Sequence, residues 1–173
     1  MASRLGWFVL GIVAAIVLIG AGGYLFIRGG GVPMATSAAP LPLEKTVARL
    51  ALHASIASSL DLKNPQPADE DNMLAGARVY QQQCAVCHGA PGGTMTAIAG
   101  GMFPNPPQLF EMRDMMTEDP EGETYWKVTN GIRLSGMPAF AKTLSDTQRW
   151  QLTLLVKHAD KLSPAVQAAM RTP

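Results

Sequence analysis

The pentapeptide Cys84–His88, with the sequence CAVCH, constrains this chain more than any other feature. Two thiols separated by two residues and followed at once by a histidine have the spacing of a c-type haem attachment site. Each thiol can form a thioether with one vinyl group of a porphyrin, while the adjacent imidazole reaches the iron. The pattern therefore predicts a haem that is a covalent part of the protein core.

Other chemistries of a Cys-x-x-Cys pair fit the sequence less well. A thioredoxin-like redox pair needs a βαβ context, which this helix-rich and glycine-rich sequence does not offer. A disulfide closing so short a loop would constrain little of the unfolded chain. A tetrahedral zinc site needs two more ligands, yet His53 and His158 are distant in sequence and both cysteines of the chain are already in the motif.

An uncharged apolar run from Leu5 to Ile27 lies near the start of the chain, between two arginines. As a helix it would span a hydrocarbon layer of about 30 Å. Trp7 and Tyr24 near its ends suit the aromatic belts of a bilayer. A cleaved signal peptide is the alternative, but its apolar region is usually only about 7–15 residues long. We expect a cytoplasmic tail at residues 1–4 and an uncleaved transmembrane anchor at 5–27.

Residues 28–68 are predicted to form a linker that contains one short amphipathic helix. Its first part, residues 28 to about 42, is rich in Gly, Pro, Ser and Ala and should be a mobile tether. Apolar residues then recur at helical spacing around Val47, so that Leu43–Leu60 is a candidate helix. It would lie on the membrane surface, pack on the following domain or remain a loosely ordered spacer. Asn64–Pro67 (NPQP) breaks any helix before it.

Residues 69–162 are predicted to be a small all-α domain, followed by a C-terminal tail at 163–173. So short a domain buries only a modest core on its own, and a haem would supply a large apolar body for its helices. No segment shows convincing strand alternation. Three helices are predicted. The first begins at the acidic cluster Asp69–Asn72, and the second begins at Asp119-Pro120 and stops at Asn130-Gly131. The last begins at a capping box, Ser145–Gln148.

The second axial ligand of the iron would determine what the haem can do. The chain has ten methionines. Met95 and Met102 follow His88 too closely to cross easily to the other face of the ring. Met112, Met115 and Met116 lie in a stretch, 109–116, that looks helical and suggests core packing. Met137 is favoured because Gly136 and Pro138 give its loop a non-helical backbone that can lay a thioether on the iron.

The segments GARVYQQQCAVCHG, NPPQL, YWKVTNGIRLSGMPAF and LSDTQRWQLTLLV occur in this order. Together they resemble a membrane-anchored monohaem class I cytochrome c of bacterial respiratory chains, over about residues 72–162. The resemblance implies a small cytochrome c fold around one covalent haem c. It also implies Cys84 and Cys87 as thioether residues, with His88 and Met137 as the proximal and distal iron ligands.

The same resemblance implies one-electron transfer between respiratory donors and acceptors by a carrier that is not itself an enzyme. The alternative is a permanent haem c subunit of a larger membrane oxidoreductase, a dehydrogenase or a terminal oxidase. Redox proteins would be the partners, with no small-molecule substrate and the haem domain on the periplasmic side of the bacterial inner membrane. Residues 61–173 carry twelve acidic and ten basic side chains, which gives no support for nucleic-acid binding.

Several supporting roles are expected around the haem. The second ring nitrogen of His88 should donate to a backbone carbonyl, and Pro91 and Pro104 are the candidates. By the resemblance, Gly76 and Tyr80 would meet Trp150 where the first and last helices of the domain cross. The candidates for contacts with the haem propionates, with ordinary surface or packing roles as the alternative, are Gln108, Trp126 and Arg133.

Overall fold

The computed structural model describes residues 3–112 and 116–171. Within these ranges the protein is helical and has no strand, which confirms the all-α class. The chain forms two compact units, residues 1–45 and 46–173. The helices are α1 Arg4–Arg28, α2 Glu44–Ile56, α3 Glu70–Gln83, α4 Ala85–His88, α5 Ala97–Gly100, α6 Glu121–Asn130, α7 Asp146–Lys157 and α8 Pro164–Arg171. A 3₁₀ turn, Ala57–Ser59, follows α2 directly.

The first unit contains α1, which includes the whole predicted span 5–27. Ser3 begins the helix, since its hydroxyl oxygen accepts from the backbone N–H of Gly6 at 3.2 Å. No side chain of α1 is buried, although nearly all are apolar. Within the described residues α1 is the one helix long and apolar enough to cross a membrane.

The core of the second unit lies where α3 packs on α7 and α8, and where α6 packs on α7. Gly76 makes the α3–α7 crossing close: a Cβ there would lie 2.4 Å from the carbonyl oxygen of Gln151. The predicted crossing is therefore present, but its partner is the α7 backbone at Gln151 and not the Trp150 ring. Trp150 faces away toward α6 and stacks on Tyr125, with ring centroids 3.9 Å apart.

The helix ends follow the local sequence signals. Asp69 caps α3 by accepting from the N–H of Asn72 at 2.9 Å. Ser145 and Gln148 form the predicted capping box of α7. α6 begins at Glu121, one residue later than the Asp119-Pro120 pair suggested, because Pro120 itself is the cap.

The packed domain continues past residue 162, where the sequence suggested a tail. α8 places Val166 and Met170 in the core, where they are 0% and 2% exposed. These residues are four positions apart and so share one face of the helix. Pro164 begins this helix, a position that proline tolerates well.

The end of the predicted linker also packs on the domain. Ile56, the last residue of α2, is 2% exposed. The 3₁₀ turn lies so close to α6 that a Cβ on Gly122 would be 1.7 Å from the carbonyl oxygen of Ser59. The amide of Asn64 donates to the carbonyl oxygen of Trp150 at 3.0 Å. The stretch from Ile56 to Asn64 is thus fastened to α6 and α7.

We predict that Gly76→Val lowers the free energy of unfolding by about 2 kcal/mol or more, because its side chain must push the α7 backbone away. Denaturant unfolding of the full-length, detergent-solubilised protein measures this. Gly100→Val is the matched control: Gly100 is exposed, and its nearest neighbour beyond its own turn is the Met95 sulfur at 3.9 Å. Equal midpoints for the two variants would contradict the close crossing.

Candidate haem-binding site

The Cys-x-x-Cys-His motif lies at a sharp break between two helices. α3 ends at Gln83, and Cys84 is both its C-cap and the N-cap of α4. The carbonyl oxygen of Cys84 accepts from the backbone N–H groups of Cys87 and His88 at 3.0 and 2.9 Å. This tight turn brings the two thiols and the imidazole to one end of α3.

The two cysteines are free thiols in this structure. Burial, with a smaller contribution from Cys87, raises the pKa of Cys84 to about 12. Catalytic dithiols depend on a lowered thiol pKa, so the environment of Cys84 is unlike that of a redox-active pair.

His88 is held in one tautomer by the backbone. Its Nδ1 lies 2.9 Å from the carbonyl oxygen of Pro107, and because a carbonyl only accepts, Nδ1 must carry the proton. Burial lowers the pKa of His88, while the bond to Pro107 acts in the opposite direction. The imidazole is therefore neutral, with the lone pair on Nε2, which is the form that binds a metal.

The acceptor carbonyl was expected, but neither candidate residue was correct. Pro107 provides the oxygen, whereas the carbonyl oxygen of Pro91 accepts from Arg171 Nε at 2.9 Å. The segment of Pro107 is also tied to the motif through the N–H of Leu109, which donates to the carbonyl oxygen of His88 at 3.2 Å. Which carbonyl reaches His88 depends on how the tertiary fold brings the two segments together, so the local sequence does not predict it.

Gln108 joins the same two segments. Its Nε2 donates to the carbonyl oxygens of Cys87 at 3.0 Å and Pro106 at 3.2 Å, and the residue is 4% exposed. Gly89 makes room for it, because Gly89 has φ +73° and a Cβ there would lie 2.6 Å from Gln108 Oε1. Sequence reasoning considered Gln108 only for propionate contact or packing and missed this role.

Tyr80 fixes the motif from the other side. Its hydroxyl donates to the carbonyl oxygen of Gly89 at 2.8 Å, and its ring meets Phe110 edge-on at 5.1 Å. Burial raises the pKa of Tyr80 far above its usual value, so the hydroxyl stays protonated and remains a donor. The spacing of Tyr80 and Cys84 places both residues on one face of α3.

Met137 lies in a short loop that closes on itself. The loop leaves α6 at Gly131, which has φ +67° and where a Cβ would lie 2.8 Å from the carbonyl oxygen of Met137. Ser135 Oγ donates to the carbonyl oxygen of Ile132 at 2.7 Å and accepts from the N–H of Met137 at 3.2 Å. The backbone is non-helical, as the sequence suggested.

The structure brings members of the two predicted ligand segments against one apolar core cluster. Cys84 and Met137 both pack on it. The cluster also includes Tyr80 and Leu155, which are 1% and 0% exposed. The thioether of Met137 therefore lies against the same apolar core as Cys84 of the attachment motif.

Met102 lies closer to this loop than its position in the sequence implied. Its methyl carbon is 1.9 Å from where a Cβ of Gly136 would be, so the absence of a side chain at Gly136 admits it. Met102 is close to His88 in sequence, yet it also lies against the Met137 loop. The choice between Met137 and Met102 as ligand requires a variant of each.

The remaining methionine and propionate candidates are spread over the surface. Residues 109–112 form turns and bends and not the expected helix, and Met112 is 91% exposed. Met115 lies outside the described residues. Arg133 is exposed and Trp126 is half-buried, and their contact with propionates stays a prediction.

The residues present fit a c-type haem. The site offers a neutral imidazole with a free Nε2, two unpaired thiols in the turn beside it and thioether side chains near the core. These are the donors that attach the porphyrin and bind its iron in such a group. His88, Cys84 and Cys87 would hold it from the α4 side.

We predict that Gln108→Glu lowers the free energy of unfolding by about 1–3 kcal/mol, because a carboxylate cannot donate to the Cys87 and Pro106 carbonyls. Denaturant titration of the full-length protein tests this. Gln82→Glu makes the same charge change at an exposed position of α3 and should change the value by no more than about 0.5 kcal/mol. Equal effects would show that charge, and not the lost donors, is responsible.

Part of the chain is similar to known proteins. Residues 71–155 match the family model described as "Cytochrome C oxidase, cbb3-type, subunit III". A chain of the reducing HAO-like protein complex of Kuenenia stuttgartiensis is similar in structure, with a TM-score of 0.47 and 28% sequence identity. The alignment covers 58% of this chain and 48% of that one, so this chain spans about half of its length. No curated protein matches the chain.

The family match covers α3 to α7 and includes the motif, the Pro107 segment and the Met137 loop. A cytochrome c domain binds haem c covalently and transfers electrons. The second unit of the chain thus contains a cytochrome c domain, and the first unit contains an apolar helix of membrane-spanning length.

Proposed function

We propose that this protein is a single-haem electron carrier anchored in the inner membrane of a bacterium, with its haem domain in the periplasm. It would link donors and acceptors of a respiratory chain. In this proposal Cys84 and Cys87 form the thioethers, and His88 and Met137 are the axial ligands. The observation that carries it is the imidazole of His88, held through Nδ1 by the Pro107 carbonyl, beside two free thiols.

One haem is proposed because the chain has two cysteines, both in the motif. When bound, the haem would supply an iron centre that changes by one electron between its ferric and ferrous states. The Pro107 carbonyl keeps the Nδ1 proton of His88 and so keeps Nε2 available. The imidazole thus has the same form and orientation before and after electron transfer.

Met137 suits the role of a second, permanent ligand. Its soft sulfur favours ferrous iron and raises the reduction potential, and its position is fixed by the Ser135 bonds within the loop. Two protein ligands leave no coordination position for a substrate. This favours electron transfer over substrate turnover or gas binding.

We predict that Met137→Ala removes the weak absorption band of methionine-bound ferric haem and lowers the reduction potential, since the thioether is lost. Visible spectroscopy and a redox titration of the purified protein measure both. Met102→Ala is the matched control, because Met102 packs on the adjacent Gly136 and should keep the band. A band lost only in Met102→Ala would transfer the ligand role to Met102.

Covalent attachment is checked in the same samples. Extraction with acid acetone should leave the colour on the protein in both variants, because the thioethers from Cys84 and Cys87 do not depend on the axial methionine. Complete loss of the colour to the solvent would show that no thioether exists. The proposed site would then be wrong whatever the spectra show.

A second candidate function is a permanent haem c subunit of a larger membrane oxidoreductase. The family model that matches residues 71–155 is described as a subunit of an oxidase. Such a subunit would transfer electrons within one complex, with α1 as an assembly surface in the bilayer. The haem site would be the same in both functions.

Mild detergent extraction separates the two functions. A carrier should elute from size exclusion as a monodisperse single-haem protein, because its partners bind only transiently. A permanent subunit should co-elute with other redox subunits at a constant ratio and stay with them at high salt. We expect the first result, and a stable complex would establish the second function.

A further inference from the structure

α2 has apolar residues on two opposite faces. One face includes Ile56, which is 2% exposed against the haem domain, and the half-buried Leu52. On the other face Val47 and Leu50 are 61% and 71% exposed. At about 100° per residue, Val47, Leu50 and Ala54 fall within about 60° of one another and roughly opposite Ile56. We call these three residues the outer stripe.

The outer stripe belongs to a helix that is fixed to the haem domain. Directly after Ile56, the backbone of the 3₁₀ turn lies against the backbone of α6 at Gly122. Asn64 then bonds to the carbonyl oxygen of Trp150 in α7. The stripe therefore belongs to a helix whose carboxyl end is fastened to the haem domain.

Chain length limits what can cover this stripe. Residues 29–43 connect the end of α1 to the start of α2, and even fully extended they reach only about 50 Å. If α1 spans a bilayer, α2 is therefore tethered within about 50 Å of its surface. The connection carries no charged residue, so nothing in it opposes a close approach to the membrane.

The charge of α2 also suits a lipid surface. α2 carries one acidic residue, Glu44 at its first position, and two basic residues, Lys45 and Arg49. Anionic headgroups attract basic residues. At about 100° per residue, Lys45 and Arg49 fall roughly opposite the outer stripe. A helix with an apolar stripe and basic residues on its polar face is the pattern of a segment that lies in the interface plane.

We propose that α2 lies in the headgroup region of the bilayer that α1 spans, with the outer stripe inserted and the haem domain held against the membrane through Ile56. This rests on α1 being a membrane anchor, as the proposed function does. It adds that the haem domain has one fixed orientation at the surface. Electron transfer would then favour partners whose sites lie close to the bilayer.

Spin labelling of the full-length haem protein in vesicles of phosphatidylethanolamine and phosphatidylglycerol tests the proposal. Single nitroxides are placed on the stripe by Val47→Cys, Leu50→Cys and Ala54→Cys. Ala48→Cys and Ser55→Cys are exposed controls elsewhere on α2. Collision with lipid-soluble oxygen and with a water-soluble nickel chelate is then measured. Stripe labels should collide with oxygen, and control labels with nickel.

A label at Leu10→Cys in α1 separates the failure of this proposal from the failure of the anchor. If the Leu10 label reports lipid while the stripe labels report water, the anchor stands and the surface-bound α2 is wrong. Stripe labels shielded from both reagents would mean a protein cover, which also overturns it. A Leu10 label in water would overturn the anchor and this proposal together.

A charge variant gives an independent check. Val47→Glu combined with Leu50→Glu should make the label at position 54 lose its oxygen collisions and gain nickel collisions, because ionised carboxylates resist insertion. Ala48→Glu is the matched control and should leave that label in lipid. These residues are exposed, so the visible spectrum should stay unchanged in each variant. A label at 54 that stays in lipid in the double variant would contradict insertion.

Discussion

The bond between His88 Nδ1 and the Pro107 carbonyl is the interaction on which the rest of the site depends. It fixes the tautomer, the protonation state and the direction of the imidazole at once. Gln108 and the N–H of Leu109 then hold the Pro107 segment against the motif. The site is thus assembled from backbone groups of two segments that are distant in sequence.

Local chemistry made the attachment motif, the helix caps and the Met137 loop predictable. Each of these features is indicated by a few neighbouring residues. The signals are the thiol spacing, the Ser145–Gln148 capping box and the Gly136-Met137-Pro138 sequence. The acceptor at Pro107 and the bond from Tyr80 to Gly89 could not be predicted in this way. Each depends on how loops return to the motif, and several carbonyls along the chain were equally suitable acceptors.

The ends of the domain were misjudged for a related reason. Pro164 reads as a stop signal from its neighbours, but whether it ends or begins a helix depends on the α3 surface that α8 covers. Asn64 lies in a segment that breaks the preceding helix. Its side-chain amide also donates to the α7 backbone and so fastens the end of the predicted linker to the domain. A helix-breaking residue indicates where a helix ends, but it does not predict what the chain packs against next.

α8 joins the last part of the chain to the first helix of the domain and to the loop after the motif. Ser163 donates to Glu70 at 2.7 Å, and Arg171 donates to the carbonyl oxygen of Pro91 at 2.9 Å. Because synthesis proceeds from the amino end, the two thiols emerge well before α8 exists. The core therefore stays open on the side that α8 covers until the last residues of the domain have been made.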